Sequence, residues 1–329
     1  MNSKIKPALG VAFLFLAIWT VNCSQNRGSP VEDSSEHTAQ NQNQLEAEQD
    51  SIIRGQSLRA DDRLSRSVVG LISERSEGQA LCTGTILSSD IILTAAHCVD
   101  GQPRRISVIF GLKVKSAGKE SIRAADAYAQ NARWLRPTVK GRGDLALVHF
   151  QGGIPQGFSV VTLAKPSVDL SPGTLIKMIG YGVTNGTTET GSGTLRVAQS
   201  TVLSQHSATE IVTDGKKSSV CFGDSGGPAF IQGKTQNGHQ SFVQWGVASS
   251  VLSHACNEAS IHTSVMSYSR WITATSQKLR STLSRTNANL RVDQSEEVPV
   301  ALVLNDLDDL DDNETPLFQD EMEVYSTNL

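Results

Sequence analysis

An all-β fold, either a sandwich or a pair of barrels, is predicted for the central part of this chain of 329 residues. Between Ile52 and about Ile261, short apolar runs alternate with clusters of glycine, serine, asparagine and threonine. Runs of strand length at this spacing are typical of β-sandwiches and barrels. Residues 265–283 instead repeat their apolar side chains at helical spacing, so a single C-terminal α-helix is predicted. The strand-length runs cover residues 67–72, 86–95, 106–110, 145–150, 175–179, 201–203 and 242–248.

The overall composition excludes two classes of protein. The chain is 38% hydrophobic and 19% charged. It is therefore too apolar to be disordered throughout and too polar to cross a membrane many times. Its length allows one large domain or two small ones with a sizeable core.

Charge is strongly segregated along the chain, although the net charge is only −4. Residues 24–51 carry −5, residues 52–291 carry +11, and residues 292–329 carry −12 with no Lys or Arg. Like charges at that density repel, so we expect residues 286–329 to form an acidic, disordered tail. As a hypothesis, this tail screens the basic region or steers its encounters with other molecules.

The N-terminus has the features of an export signal. Lys4 and Lys6 precede an apolar run over residues 8–21, which is shorter than the roughly 20 residues of a membrane-spanning helix. Residues 1–22 resemble the signal peptide of a bacterial lipoprotein, in which the following cysteine, here Cys23, is lipidated. The alternative is ordinary secretion with Cys23 free or removed.

The segment after the signal is predicted to be a tether. Residues 23–51 are rich in Gln, Asn, Ser and Glu and have too few large apolar side chains to order themselves. They are expected to act as a flexible tether or propeptide. We therefore expect an exported protein, which is either a periplasmic or outer-membrane lipoprotein or a form secreted after cleavage from the tether.

Three separated segments carry residues of the kind used in nucleophilic catalysis. They read LTAAHC, GDLAL and CFGDSGGP, and they contain His97, Asp144 and Ser225. A serine hydroxyl is a poor nucleophile at neutral pH and needs an adjacent base. With these residues in this order, each in its characteristic setting, the chain resembles the chymotrypsin-like (trypsin-fold) serine peptidases over about 220 residues.

The resemblance implies both a fold and an activity. Residues 52–285 would form two six-stranded Greek-key antiparallel β-barrels with a C-terminal α-helix and an active site at the barrel junction. His97 would take a proton from Ser225 and pass it to the leaving amine, while Asp144 would orient the imidazole. The backbone N–H groups of Gly223 and Ser225 would form the oxyanion hole. The implied function is a serine endopeptidase that acts on proteins or peptides.

Two other functions use the same fold. One is a non-catalytic binding module at the cell surface, which would keep the fold and lack turnover. The other is an esterase or acyl-transfer enzyme with the same triad. Labelling of Ser225 by a fluorophosphonate separates the first from an enzyme, and a comparison of peptide with ester substrates separates the second from a peptidase.

The five cysteines agree with export. The resemblance implies the disulfides Cys82–Cys98 and Cys221–Cys256, which leaves Cys23 over, just after the signal. Disulfides persist in oxidising compartments. The cysteine and histidine spacing does not suit a zinc site, so no metal or cofactor is expected. No aromatic-interleaved basic run suggests nucleic acid, and a monomer is expected.

The resemblance also implies activation from a zymogen. In this family a new apolar N-terminus folds inward and its ammonium pairs with the acid just before the nucleophile. Ile52 is the candidate N-terminus, 45 residues before His97, and Asp224 is the matching acid. Arg54 stands where the family usually has Gly, and Ser51 stands where a cut after Arg or Lys is usual, so the activating protease is not identified. The alternative is that Ile52 simply begins the first strand.

Four residues match the positions that form the primary specificity pocket of the family. They are Ser219 at the base, Ser249 and Val251 on one wall, and Ser260 on the facing wall. Since trypsin-type members have Asp at the position of Ser219, cleavage after Lys or Arg is not supported. A small to medium, neutral, apolar P1 residue is predicted instead. The remaining histidines are isolated in sequence and are expected to be structural or exposed, and they include His149, His206, His254 and His262.

Overall fold

The computed structural model describes residues 52–136, 141–234, 240–290 and 302–303. The predicted signal peptide, the lipidation site Cys23 and the predicted tether lie outside the described residues. Within the described part, no helix is long and apolar enough to cross a membrane.

Six strands of the first half of the chain close into one antiparallel barrel. The strand order is β6-β5-β2-β3-β4-β7, and pairing of β6 with β7 closes the ring. Strands β2, β3 and β4 are consecutive neighbours, whereas β5 returns to pair with β2, which is a Greek-key connection. The strands are β2 (Val68–Arg75), β3 (Gly78–Ile86), β4 (Ile91–Thr94), β5 (Arg105–Ile109), β6 (Ile122–Gln130) and β7 (Ala146–Phe150).

The second half of the chain repeats this topology. Its order is β9-β10-β13-β12-β11-β8, and pairing of β8 with β9 closes the ring. Numbered from its first strand, the cyclic order matches that of the first barrel, although the sequence shows no internal repeat. The strands are β8 (Leu175–Gly180), β9 (Arg196–Ser207), β10 (Glu210–Asp214), β11 (Pro228–Lys234), β12 (Gln240–Val251) and β13 (Ala259–Ser264). The prediction of two closed six-stranded antiparallel barrels is confirmed.

Two short strands extend the barrels at their edges. Strand β1 (Gln56–Ser57) pairs antiparallel with β9. Strand β14 (Leu302–Val303) pairs parallel with β6. Short 3₁₀ turns fill the connections at Leu64–Ser67, Ala96–Val99, Val114–Ser116, Lys119–Ser121 and Ala132–Leu135.

The apolar runs in the sequence correctly predict the strands that supply most of the barrel cores. Leu71, Ile92 and Val148 are fully buried in the first barrel, as are Met178 and Trp245 in the second. Other strands were not predicted, because they carry few large apolar side chains. Strand β6 reads IRAADAYAQ, in which alanine has a weak strand preference, and β13 reads ASIHTS. These two segments form strands because they pair with neighbouring strands in a closed sheet, and not because of their composition.

One long helix packs against the first barrel. Helix α1 (Ser269–Leu290) buries Ile272 and Leu279, seven residues apart, in the core of that barrel. It extends seven residues beyond the predicted end at residue 283, because no glycine or proline interrupts it. The tail predicted to be disordered from residue 286 is therefore helical as far as Leu290 and forms strand β14 at Leu302–Val303.

A charged contact ties helix α1 to the barrel. Arg280 donates from Nε to Asp90 Oδ2 at 2.8 Å and from Nη2 to Asp90 Oδ1 at 2.6 Å. The same Nη2 donates to Ser88 Oγ at 2.6 Å. The hydrogen bond from Arg280 lowers the pKa of Asp90 to about 2, against the opposing effect of burial. A two-pronged guanidinium–carboxylate pair has a defined geometry and is stronger than a single exposed ion pair.

Replacement of Arg280 tests this anchor. We expect Arg280→Ala to lower the free energy of unfolding by about 1 kcal/mol at neutral pH. The contribution of Asp90 is present above its ordinary pKa of 3.8 and is lost as the pH falls towards about 2. The difference between variant and wild type in denaturant unfolding should therefore shrink between pH 4 and pH 2. Arg285→Ala, an exposed position on the same helix, is the matched control. Equal losses in both variants would contradict the anchor.

Candidate active site

His97 lies in a 3₁₀ turn, Ala96–Val99, just after strand β4 of the first barrel. Side chains of strand β2 donate hydrogen bonds to two backbone carbonyl groups of this turn. Arg75 Nη2 donates to the carbonyl oxygen of His97 at 2.9 Å, and Ser73 Oγ donates to that of Cys98 at 2.7 Å. A disulfide joins Cys98 to Cys82 on strand β3. The histidine is thus carried by a turn that is fixed to two neighbouring strands.

Asp144 lies within hydrogen-bonding distance of His97 through both carboxylate oxygens. Oδ2 lies 2.8 Å from His97 Nδ1, and Oδ1 accepts the backbone N–H of His97 at 3.0 Å. Ser249 Oγ donates to Asp144 Oδ2 at 2.6 Å. The Asp144 side chain is 2% exposed, so it meets the imidazole away from bulk water. With Nδ1 engaged in this way, Nε2 is the ring nitrogen available to exchange a proton.

Asp144 also controls the protonation of His97. Burial alone would lower the pKa of the imidazole, but the hydrogen bond and the negative charge of Asp144 outweigh it and raise the pKa above the ordinary 6.5. The pair therefore stabilises the imidazolium form. A base of this kind can take a proton and hold it until the leaving group needs it.

Ser225 lies in a turn just before strand β11. Residues of both barrels form hydrogen bonds with this turn. Thr83 of the first barrel donates its N–H to the carbonyl oxygen of Ser225 and its Oγ1 to that of Gly223, each at 2.8 Å. From the second barrel, the carbonyl oxygen of Ala248 accepts the N–H of Gly226 at 2.8 Å. Contacts from both barrels thus hold the Ser225 turn, and the carbonyl oxygen of Ser225 lies 3.5 Å from Cys98 Sγ in the turn that carries His97.

The Ser225 turn presents two unpaired N–H groups. The N–H groups of Asp224, Gly226 and Gly227 all donate to backbone carbonyl oxygens. Among the described residues, those of Gly223 and Ser225 have no acceptor. Gly223 has φ +97°, a left-handed conformation that favours glycine, and a Cβ there would lie 3.0 Å from Gly182 Cα. Two adjacent donors without acceptors are suited to an anion that forms during a reaction.

Asp224, next to Ser225, is fully buried. Its carboxylate accepts the N–H of Gly182 at 2.7 Å and that of Cys221 at 2.8 Å. A side chain in place of Gly180 or Gly182 would collide with the carboxylate. Burial raises the pKa of Asp224 to about 7, although both hydrogen bonds and the charge of Arg196 act to lower it. This buried carboxylate is therefore poorly compensated when it is ionised.

The segment that starts at Ile52 is buried in the second barrel while it is still part of the continuous chain. Ile52 is fully buried among apolar residues that include Val220, and Ile53 packs against the Cys221–Cys256 disulfide. Ile52 has φ +33° and Arg54 has φ +64°. A positive φ is a strained conformation for a β-branched residue. The segment thus combines burial with backbone strain.

The predicted base and walls of the specificity pocket come together. Ser219 Oγ and Ser260 Oγ lie 2.8 Å apart, and both residues are fully buried. Val251 pairs with Ser260 between strands β12 and β13, so the two side chains share one face. Ser249 differs from the other three, because its hydroxyl engages Asp144. The residues predicted to form the base of the specificity pocket therefore carry hydroxyl groups and no charge.

An open cavity of about 530 Å³ runs beside His97, and sequence reasoning missed most of its lining. Trp134 lies 6.1 Å from the His97 ring, and the Arg142 guanidinium lies 4.4 Å from the centre of the Trp134 ring. His206 and Glu210 also line the cavity. His206 is exposed, as the sequence predicts, but its position beside this cavity was not predicted. The signal in the sequence for this part of the cavity lining is the density of arginines just before Asp144.

Two other histidines that look isolated in sequence have partners in the structure. His149 Nδ1 lies 2.5 Å from Asp126 Oδ1 and packs between strands of the first barrel. His262 is fully buried, its Nε2 lies 3.1 Å from Thr213 Oγ1, and burial lowers its pKa to about 3. Neither lines the cavity beside His97. Both have the structural role that the sequence predicts.

One group of side chains in the described residues has the spacing of metal ligands. Atoms of Cys82, His97 and Cys98 lie within 4.8 Å of one another. The two sulfur atoms are bonded to each other, so they cannot act as thiolate ligands. The geometry of this group therefore does not suit a metal ion.

Comparison with known proteins places the chain in one family. The sequence model of the family described as Trypsin matches residues 52–272. Trypsin-3 of Salmo salar is 25% identical over 250 residues, which cover 70% of this chain and 95% of that protein. A venom plasminogen activator of Agkistrodon piscivorus leucostoma is 24% identical over 212 residues, covering 58% and 76%.

A solved structure shares the fold. The structure of HL collagenase superposes with a TM-score of 0.56 at 21% identity, over 69% of this chain and 99% of that one. At this identity the likeness concerns the fold alone. The family match spans well over half of the chain and includes the segments around His97, Asp144 and Ser225. The chain therefore belongs to the trypsin family of serine proteases.

Proposed function

We propose that this protein is a serine endopeptidase whose triad is His97, Asp144 and Ser225. One observation carries the proposal. A buried carboxylate engages His97, and the adjoining turn offers the N–H groups of Gly223 and Ser225 without acceptors. A binding module that shares the fold without turnover has no use for this combination, and it is not favoured.

The geometry supports a two-step hydrolysis. Ser225 Oγ attacks the scissile carbonyl carbon and gives its proton to His97 Nε2. The oxyanion that forms accepts the N–H groups of Gly223 and Ser225. His97 then donates the proton to the leaving amine, which leaves an acyl group on Ser225. A water molecule, deprotonated by His97, attacks this ester, and the proton returns to Ser225 as the acid is released.

Activity-based labelling tests the proposal. A fluorophosphonate should label the activated protein at Ser225, and Ser225→Ala should remove both the label and about 10⁶-fold of the peptide hydrolysis rate. Ser284→Ala, an exposed serine on helix α1, is the matched control and should behave as wild type. Hydrolysis of esters without hydrolysis of peptides would point to an esterase or acyl-transfer enzyme. Failure to label would contradict any serine hydrolase.

We propose further that cleavage between Ser51 and Ile52 activates the enzyme. Two features support this. Asp224 is buried without full compensation, and an ammonium group at Ile52 would supply the missing positive charge. The positive φ of Ile52 is costly because the preceding carbonyl group crowds its side chain, and hydrolysis of that peptide bond removes the carbonyl. An activating protease is the partner that this step requires.

Export and membrane attachment are also proposals. The apolar run after Lys4 and Lys6 and the fifth cysteine, Cys23, support a lipoprotein signal. The two disulfides agree with an oxidising compartment. Because Cys23 precedes Ile52 and both disulfides lie after it, cleavage at Ile52 would free the catalytic domain from a lipid anchor.

Mass spectrometry of the N-terminus tests both steps. We expect lipidated Cys23 at the N-terminus of the membrane-bound form and Ile52 at that of the active form. Ile52→Gly should abolish most activity, because the apolar anchor of the new N-terminus is lost. Arg54→Gly is the matched control and should stay active, because it removes an exposed side chain with one hydrogen bond to the Lys216 carbonyl oxygen, and glycine readily adopts the positive φ of this position. Full activity with another N-terminus would contradict activation at Ile52.

The specificity pocket supports a neutral P1 residue. Its base is formed by the paired hydroxyl groups of Ser219 and Ser260, which cannot compensate a substrate cation. Val251 lies beside Ser260 and fills part of the same face. We therefore propose cleavage after small to medium apolar residues.

A peptide library tests this specificity. Wild type should prefer Ala or Val at P1 to Lys or Arg. Val251→Gly should raise the relative kcat/KM for Phe at P1 by about 10-fold, because it removes a branched side chain from the pocket. Leu252→Ala, an exposed neighbour on the chain, should leave the preference unchanged. A strong preference for Lys or Arg in the wild type would refute the proposal.

A further inference from the structure

Arg142 is a cation on the wall of the open cavity beside His97. Its guanidinium lies 4.4 Å from the centre of the Trp134 ring, and its Nη2 donates to the Trp134 carbonyl oxygen at 3.3 Å. A guanidinium that stacks on an indole is held by its flat face, so N–H groups on its edge stay available to a ligand. In the described part of the chain, no carboxylate forms an ion pair with Arg142. Trp134 thus holds this cation at the cavity wall without neutralising it.

Two carboxylates line the same cavity, and both are engaged by neighbours. Asp144 is buried and paired within the triad. Glu210 accepts a hydrogen bond from Ser207 Oγ at 3.0 Å. Burial raises the pKa of Tyr268, while the charge of Arg133 acts to lower it and that of Glu210 acts to raise it, so both charges lie close to this hydroxyl. Arg133 and Glu210 therefore offset each other, and the positive charge of Arg142 remains.

Asp100 and His206 are the other titratable groups beside this wall. Asp100 is exposed and accepts the indole N–H of Trp134 at 3.4 Å, at the edge of the ring and not on the face that Arg142 covers. His206 is exposed, lines the cavity and adds positive charge when it is protonated. The wall formed by Trp134 and Arg142 therefore favours an anion.

The cavity adjoins the predicted P1 pocket along strand β12. Ser249 and Ser250 line the cavity, and the next residue, Val251, stands on the wall of the pocket. His97, which acts at the scissile bond, lines the cavity as well. An extended peptide advances about 3.3 Å per residue, so a substrate with its P1 side chain against Val251 brings a neighbouring residue to this cavity.

We propose that the wall formed by Trp134 and Arg142 is a subsite for an acidic side chain of the substrate, close to P1. The carboxylate of a substrate Asp or Glu accepts N–H groups on the edge of the guanidinium, which are charge-assisted hydrogen bonds. The substrate class is then a peptide in which a small to medium neutral P1 residue has an acid nearby. This inference rests on the proposed peptidase function, because it concerns the substrates of that site.

The chain itself contains a sequence of this class. Residues 48–51, which lie outside the described residues, read EQDS and precede the proposed activation bond. For cleavage between Ser51 and Ile52, Ser51 is a small neutral P1 residue, and Asp50 and Glu48 stand at P2 and P4. A second copy of the chain therefore offers a suitable test sequence.

Matched peptide substrates test the subsite. Peptides with Ala at P1 carry either Glu or Gln at one position from P4 to P2′, so each pair differs in charge and hardly in shape. At low salt we expect kcat/KM to be about 5- to 10-fold higher for Glu than for Gln at one position or more, through a lower KM. This preference should disappear in Arg142→Gln and persist in Arg285→Gln, an exposed position on helix α1.

The ratio of the two peptides distinguishes a binding role of Arg142 from a structural one. If Arg142→Gln lowers kcat/KM equally for the Glu and Gln peptides, the preference persists and the proposal is overturned. The absence of a preference in wild type at every position would overturn it as well.

A binding measurement separates the subsite from the peptidase function. The probe is a fluorescent peptide of residues 47–55, added to the full-length Ser225→Ala chain, and the comparison peptide has Glu48→Gln and Asp50→Asn. We expect the acidic peptide to bind about 5- to 10-fold more tightly at low salt. Addition of Arg142→Gln to the chain should remove the difference, and addition of Arg285→Gln should not. This result would support the subsite even if no hydrolysis were detected. Equal affinities, or no saturable binding of either peptide, would contradict the subsite whatever the activity.

Discussion

Thr83 joins the two barrels, and the geometry of the site depends on it. This buried residue of strand β3 donates its N–H to Ser225 and its hydroxyl to the carbonyl oxygen of Gly223. The same hydroxyl accepts the N–H of Tyr181 at 3.1 Å, and the Thr83 carbonyl accepts the Thr94 hydroxyl at 2.8 Å. Thr83 thus fixes, from the first barrel, the two residues whose N–H groups have no acceptor in the described part of the chain.

Two buried aspartates show how the same side chain is used for different purposes. Asp144 has a permanent partner in His97 and a hydroxyl donor in Ser249, so its charge is compensated in the structure at hand. Among the described residues, the Asp224 carboxylate accepts hydrogen bonds from the backbone N–H groups of Gly182 and Cys221, and burial raises its pKa to about 7. The first carboxylate is suited to repeated catalysis. The second is suited to a single event, the arrival of a new positive charge.

The residues that sequence reasoning identified share one property. His97, Asp144 and Ser225 each lie in a short local pattern, so residue types within a few positions are enough to identify them. The alanine-rich strand β6 and the polar strand β13 were not predicted from the sequence. They form strands because they close a barrel, and not because they carry a local apolar pattern. For a related reason, the sequence did not predict that the cavity is lined by Trp134, Arg142 and His206. These residues come together only where segments about seventy residues apart in the chain meet.

The sequence by itself determined the class of fold, the order of the triad residues and the segregation of charge. Each of these can be read from residue types within a short window. Only the tertiary structure decided that Thr83 links the barrels and that the cavity beside His97 has an arginine stacked on a tryptophan. It also decided that Leu302–Val303 pairs in parallel with β6. Contacts of this kind depend on how closed sheets bring distant segments together, which no short window of sequence contains.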